Sequence, residues 1–185
     1  MDYKILVNKD NALDRTYIPD NLVNANSSYK EGILINKLVL EKFELMREDA
    51  RKLGYHIDIM SGYRDYEYQE KLYKKLLKEK GFAYTFRSIA KPGTSEHQTG
   101  LAIDICIYRD DKCYIEHEIE DTEEVSWLVN NSYKYGFVLR YPKNKEDRTG
   151  YNYEPWHYRY VGDLAKYLCN NNMLLEDYYD RQTTN

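Results

Sequence analysis

Residues 95–104 read S-E-H-Q-T-G-L-A-I-D, and I-C-I follows at 105–107. Leu101, Ile103 and Ile105 alternate with Ala102, Asp104 and Cys106, the two-residue period of a β-strand that buries one face. The other face carries an acid in mid-strand, seven residues after His97, with Gly100 between them. Glycine permits a tight approach where the chain turns from the His97 loop into the strand. One loop residue and one strand residue can therefore meet at a single point.

Working outward, K-P-G-T at 91–94 reads as the turn leading into this strand, and L-A-I-D-I-C-I with K-C-Y-I flank R-D-D as a hairpin. Upstream, Ile35, Val39, Phe43, Met46, Ala50 and Leu53 recur at helical spacing and predict a helix over 33–53, stopped by Gly54. Y-H-I-D-I-M is the next strand, ending in S-G-Y-R. Asp65 is placed to cap a helix running to about Lys80, with Leu72, Leu76 and Leu77 inward and Gly81 at its end. Downstream, Asp121 and Glu124 form a capping-box pattern before a helix carrying Val125, Trp127, Leu128 and Tyr133. Gly136 ends it, F-V-L-R-Y-P is a strand, and K-N-K-E-D-R-T-G is a polar loop before Y-N-Y-E-P-W-H-Y-R-Y-V. The first thirty residues, rich in Asn, Asp and Pro, read as an irregular arm, and the C-terminal stretch as a short helix or two. Interleaved elements with uneven crossovers indicate an α+β fold, a small central antiparallel sheet flanked by helices. No repeat or linker divides the chain, so 1–185 is expected to be one domain.

The formal charge of −4 argues against a nucleic-acid or polybasic membrane partner. No stretch approaches the roughly 20 apolar residues of a membrane span, and the first residues lack a signal-peptide pattern. The expectation is a cytoplasmic protein, with a shortened secreted or anchored one as the alternative; oligomeric state is unknown. Cys106, Cys113 and Cys169 cannot all pair within one chain. Cys106 and Cys113 can face each other across the hairpin, but free thiols are expected, which favours a reducing compartment. Twenty-one tyrosines suit amphipathic packing or a surface that grips sugars or peptides.

Of the four histidines, His56 sits in a strand pattern and His117 lies between two glutamates, so both read as non-functional. His97 and His157 differ by their neighbours. Asp104 follows the first, and Glu154 precedes the second by three residues. Two imidazoles and one carboxylate make a three-ligand zinc set with one tetrahedral position open. With one negative ligand such a site stays net positive and can acidify water, and Glu154 is placed to take the proton. From spacing alone each histidine reads more readily as an ordinary structural residue than as a ligand.

S-E-H-Q-T-G-L-A-I-D fits S-x-H-x-x-G-x-A-x-D, and E-P-W-H fits E-x-W-H. Together they resemble the zinc D-Ala-D-Ala metallopeptidases, the family of the VanY and VanXY vancomycin-resistance carboxypeptidases and related L,D-carboxypeptidases. S-G-Y-R-D-Y-E-Y-Q at 61–69 resembles that family's substrate-binding segment. L-V-N-K-D-N-A-L near the start and G-F-V-L-R-Y-P before the last motif also match, so the resemblance spans most of the chain in order. It implies one Zn2+ held by His97, Asp104 and His157, with Glu154 as catalytic base. It also implies Arg64 acting on the scissile carbonyl or the substrate's end, and substrate contacts from Gln69 and Ser95. Without it, Arg64 reads first as a partner of Glu67 or Asp65, and Ser95 equally as a turn residue or local cap.

The implied activity is removal of the terminal D-Ala from peptidoglycan stem peptides ending in D-Ala-D-Ala. An L,D-carboxypeptidase acting on tetrapeptide stems is the nearest alternative, and D,D-dipeptidase activity is another. The last would need an acidic wall for a free ammonium, for which Asp110 or Asp111 are the candidates. A non-catalytic zinc module that binds cell-wall peptide is the alternative of another class, and Glu154, which a structural site does not need, argues against it. Trp156 is expected to pack beneath the site, and Cys106 to be no more than a neighbour of it.

Overall fold

The computed structural model describes residues 2–183. Along the chain run β1 (Leu22–Asn24), β2 (Leu34–Asn36), α1 (Lys37–Lys52), β3 (Ile57–Ser61), α2 (Tyr66–Ser88), β4 (Ala102–Arg109) and β5 (Lys112–Tyr114). There follow α3 (Glu123–Asn131), β6 (Phe137–Leu139), α4 (Glu146–Thr149), β7 (His157–Tyr160), α5 (Leu164–Asn170) and α6 (Leu175–Thr183). The main sheet is antiparallel with order β3-β4-β7-β6, and β5 pairs with β4; β1 and β2 form a separate two-stranded sheet. Helices flank these sheets, so the fold is α+β as the sequence predicts. Among the described residues no helix is long and apolar enough to cross a membrane.

The alternation in β4 sorts its residues by face. Leu101, Ile103 and Ile105 enter a core with Phe43, Met46, Ile59, Phe137, Tyr158 and Tyr160. In β4 and β7 the register sets Asp104 opposite His157 and Ala102 opposite Arg159. The polar face of the two central strands therefore carries Asp104, His157 and Arg159 together, while Tyr158 and Tyr160 go to the core. The Asp110–Asp111 turn, with both residues at positive φ, folds β5 back on β4 as the R-D-D hairpin reading expects.

Several expectations are corrected. Helix α1 begins at Lys37, not 33, because Ile35 pairs with Val23 in the small sheet and Asn36 caps the helix by accepting from the Leu38 amide at 3.0 Å. Ile35 stands four residues before Val39 and faces the same core, so periodicity could not separate strand from helix there. The N-terminal arm accordingly holds a strand, β1. Asp65 does cap α2, accepting from the Tyr68 amide at 2.6 Å, and Gly81, non-helical at φ 76°, ends its first segment as expected; what the sequence reading did not foresee is a second helical segment that carries α2 on to Ser88. Leu72 and Leu76 are half-buried and Leu77 is exposed; the buried residues of α2 are Gln69 and Thr85. Thr122, not Asp121, caps α3, its hydroxyl accepting from the Val125 amide at 3.3 Å, while Glu124 pairs with Arg109. The loop at 143–150 contains the short α4. Cys106 and Cys113 form a disulfide, against the expectation of free thiols: the hairpin brings their Cα atoms to 5.4 Å. Cys169 is free and exposed.

Candidate active site

His97 sits in a 3-10 turn (Glu96–Thr99) that ends at Gly100, left-handed at φ 69°. A side chain at Gly100 would crowd Leu22 Cδ2 at 3.1 Å and Pro19 Cγ at 3.3 Å, so close approach and backbone hand both demand glycine there. The turn lays His97 over the start of β4. The Nδ1 atom of His97 lies 2.6 Å from the Gly62 carbonyl. A carbonyl only accepts, so Nδ1 bears the proton and Nε2 keeps its lone pair.

That Nε2 is 3.3 Å from Asp104 Oδ1, and His157 Nδ1 is 3.3 Å from the same oxygen. The two rings meet edge-on with centroids 4.9 Å apart. Ligand atoms from the three residues all lie within 4.8 Å of one another. Two ligands about 2.1 Å from one tetrahedral ion stand roughly 3.4 Å apart, so the Asp104 separations suit a shared zinc-sized cation. His97 Nε2 and Asp104 Oδ1 are moreover buried without a hydrogen-bond partner, a costly arrangement that a cation relieves. The residues present fit a metal ion.

Glu154 follows the carbonyl of Tyr141, to which its amide donates at 3.0 Å. Its Oε2 is 3.6 Å from His157 Nδ1. Burial raises the Glu154 carboxyl to about 7, with the Asp104 charge adding to the shift, against the pull of His157 and Arg64. His97 is lowered to about 4, by burial first and then by the Arg64 charge. Burial opposes charging of His157 too, yet the carboxylates of Asp104 and Glu96 prevail and lift it to about 9. Asp104 is held well below the usual carboxylate range: the imidazoles beside it outweigh its burial.

Arg64, just ahead of the α2 cap, has Nη2 3.8 Å from Asp104 Oδ2 and an Nε buried without a partner. Glu67 pairs instead with Arg15, so the bland partnership for Arg64 is not formed. Ser95 and Gln69 are buried in the wall of a cavity of about 170 Å³ shared with Tyr151, His97, Glu154 and His157. Gln69 also has a structural task, since its amide nitrogen donates to the Ala90 carbonyl at 2.8 Å while Oε1 stays unpartnered. A larger cavity of about 590 Å³ adjoins it, lined by Tyr29, Tyr63 and Tyr68 among others; Arg64, Asp104, Glu116 and Trp156 line both. Trp156, expected to pack beneath the site and not to meet substrate, instead lines both cavities, while also packing against the Ile107, Ile119 and Val125 cluster.

His56 and His117 are exposed and apart from this cluster, as expected. Asp110 and Asp111 are exposed at the hairpin tip and line neither cavity, whereas Glu116 lines both. Sequence reasoning also missed Glu96, Arg140 and Arg159, all buried around His157. A signal existed for one of them: Arg159 stands two residues after His157, on the same face of a strand.

A family model described as VanY, D-alanyl-D-alanine carboxypeptidase, matches residues 32–163. The chain belongs to this family. It is 37% identical over 178 residues to the bifunctional D-Ala-D-Ala dipeptidase and carboxypeptidase VanXYC of Enterococcus gallinarum, covering 95% of this chain and 92% of that protein. It is 41% identical over 182 residues to the putative carboxypeptidase YodJ of Bacillus subtilis, covering 95% of this chain and 66% of that one. Among solved structures, the LdcB LD-carboxypeptidase superposes with TM-score 0.87 at 41% identity, covering 95% of this chain and 84% of that one. A mutant of the VanY D,D-pentapeptidase from the VanB-type resistance cassette, solved with Zn(II), gives 0.82 at 33%, covering 97% and 99%.

Proposed function

We propose that this VanY-family chain is a zinc-dependent carboxypeptidase that removes the terminal D-Ala from peptidoglycan stem peptides ending in D-Ala-D-Ala. The observation that carries the reading is the placement of Glu154 beside a His–Asp–His set that fits one cation: a purely structural metal site has no use for a further carboxylate there. His97 Nε2, Asp104 Oδ1 and His157 Nδ1 would hold the ion. When bound, zinc supplies Lewis acidity, which polarises an amide carbonyl and acidifies water.

The chain's own residues supply the rest. Glu154 accepts a proton from the attacking water and returns it to the leaving amine, so one carboxyl serves both halves of the hydrolysis. The unpartnered Nε–H of Arg64 donates to the carbonyl oxygen as negative charge builds on it. The smaller cavity, with Ser95 and Gln69 in its wall, receives the terminal residue. The larger one, within the range of ordinary ligand sites, takes the preceding peptide along its tyrosines.

Two specificities compete for the same catalytic set. The likeness to LdcB supports L,D-cleavage of tetrapeptide stems as a second reading. Dipeptidase activity needs an acid facing a free ammonium, and Glu116 is the residue that supplies it. Incubating the protein with D-Ala-D-Ala, a pentapeptide stem and a tetrapeptide stem, with and without chelator, and measuring D-Ala release ranks the three. Release from the pentapeptide, abolished by chelator, is expected; no release from any substrate by zinc-loaded protein overturns the reading.

The chain is further proposed to work as one domain over 1–185, because Tyr3 and Ile5 at one end and Glu176 at the other both hold arginines of the central sheet. For the compartment, the sequence expectation is cytoplasmic, while the Cys106–Cys113 disulfide weighs toward an oxidising one.

A further inference from the structure

We propose that Glu96 is the positioning residue of the metal centre: its carboxylate keeps a hydrogen on Nε2 of His157, so that Nδ1, which faces Asp104, is the nitrogen given to the cation. The inference rests on the zinc reading above. Glu96 Oε1 accepts from Arg140 Nε at 2.7 Å and from Arg159 Nη1 at 2.9 Å. Its other oxygen, Oε2, is 3.4 Å from His157 Nε2. All four side chains are buried. Between two permanently charged guanidinium groups Glu96 is ionised, and an ionised carboxylate only accepts. The ring nitrogen facing it must therefore keep its hydrogen, so a cation that displaces a proton from this ring takes the one on Nδ1 and binds there. His97 is set the opposite way by the Gly62 carbonyl. The two imidazoles thus present different nitrogens, each chosen by an acceptor on its far side.

The carboxylate is itself braced from both ends of the chain. Arg140 reaches Glu176 of α6 through Nη1 at 2.9 Å and Nη2 at 2.5 Å, and Glu176 also accepts from Asn8 Nδ2 at 3.3 Å. Arg159 Nη2 donates to the Ile5 carbonyl at 2.7 Å and the Tyr3 carbonyl at 3.2 Å. Two acids and two arginines balance, and the geometry around Glu96 is complete without any ligand.

Glu96→Gln is the informative variant. Both arginines address Oε1, so the glutamine must put its carbonyl there and its NH2 toward His157. An NH2 group asks Nε2 to accept, which moves the ring hydrogen to Nδ1, where it blocks the metal. The near-isosteric change should therefore weaken zinc affinity about 10–100-fold, measured by competition with a chromophoric chelator on protein whose circular dichroism and melting cooperativity match the parent. In ring-15N spectra, the zinc-loaded parent should show His157 bound through Nδ1 with a slowly exchanging Nε2–H, and that protection should vanish in Glu96→Gln. A folded variant with parental zinc affinity and an unchanged Nε2–H signal overturns the inference while leaving the zinc reading intact. If the variant does not fold, the parent spectrum decides alone, since zinc on Nε2 of His157 overturns it. A parent that binds no zinc through these residues overturns both.

Discussion

Gly62→Ala separates crowding from backbone strain at the point where sheet packing orients His97, a proposed metal ligand. Gly62 does not have positive φ, so alanine is conformationally admissible and only space decides. An added Cβ would lie 2.3 Å from the Leu34 carbonyl oxygen and 3.1 Å from Ile33 Cγ2. Ordinary contact begins near 3.4 Å, so β2 and residue 62 must part by about 1 Å. That oxygen also accepts from the Tyr63 amide at 2.7 Å, a bond the movement breaks. If residue 62 does the moving, its carbonyl leaves His97 Nδ1, and a 2.6 Å hydrogen bond stretched by ~1 Å is no longer one. Overpacking of this kind costs about 1–3 kcal/mol, a fall in Tm of roughly 2–12 °C for a chain this size. Loss of the acceptor behind a metal-binding imidazole typically weakens metal affinity about 10–100-fold. Differential scanning calorimetry and chelator competition measure the two. Gly54→Ala is the contrast: its φ is 84° with nothing within 4 Å, so it should lose stability through strain while zinc affinity holds. A Gly62→Ala protein that melts within a degree of the parent and binds zinc equally well would refute the reasoning.

Glu154→Gln should keep zinc and lose turnover by about 10²–10⁴-fold; a metal-loaded variant that releases D-Ala at the parent rate removes Glu154 as the base. Zinc at about 100 times its Kd should add roughly 2.7 kcal/mol of stability, or about 5–11 °C in Tm, reversed by chelator in a thermal melt; an unchanged Tm argues against binding by the folded site. Thr122→Ala should destabilise by about 0.5–2 kcal/mol in urea unfolding, whereas Asp121→Ala should be close to neutral; the reverse order would restore Asp121 as the cap.

The alternation from Leu101 to Ile105 determined a strand with Asp104 on its polar face, and the spacing of Phe43, Met46 and Ala50 determined a helix, because both periods are local properties of the backbone. Ordered motifs identified His97, Asp104, Glu154 and His157 as one group for a similar reason: side-chain chemistry is written residue by residue. What the sequence by itself did not hold was anything that depends on which segment lies alongside which. Ile35 matched a helical period but pairs with Val23, and the partner strand is not encoded in the spacing. Thr122 displaced Asp121 as cap because Glu124, the other half of the expected box, is drawn to Arg109 on β4. Cys106 and Cys113 became a pair because the hairpin folds β5 back along β4, although the register sets Cys113 opposite Tyr108. Above all, Glu96, Arg140, Arg159 and Glu176 read as ordinary charges scattered over 80 residues of chain. Only the crossing of β6, β7 and the His97 turn, braced by both chain ends, buries them together behind His157, where two arginines fix the state of one carboxylate and that carboxylate selects a nitrogen.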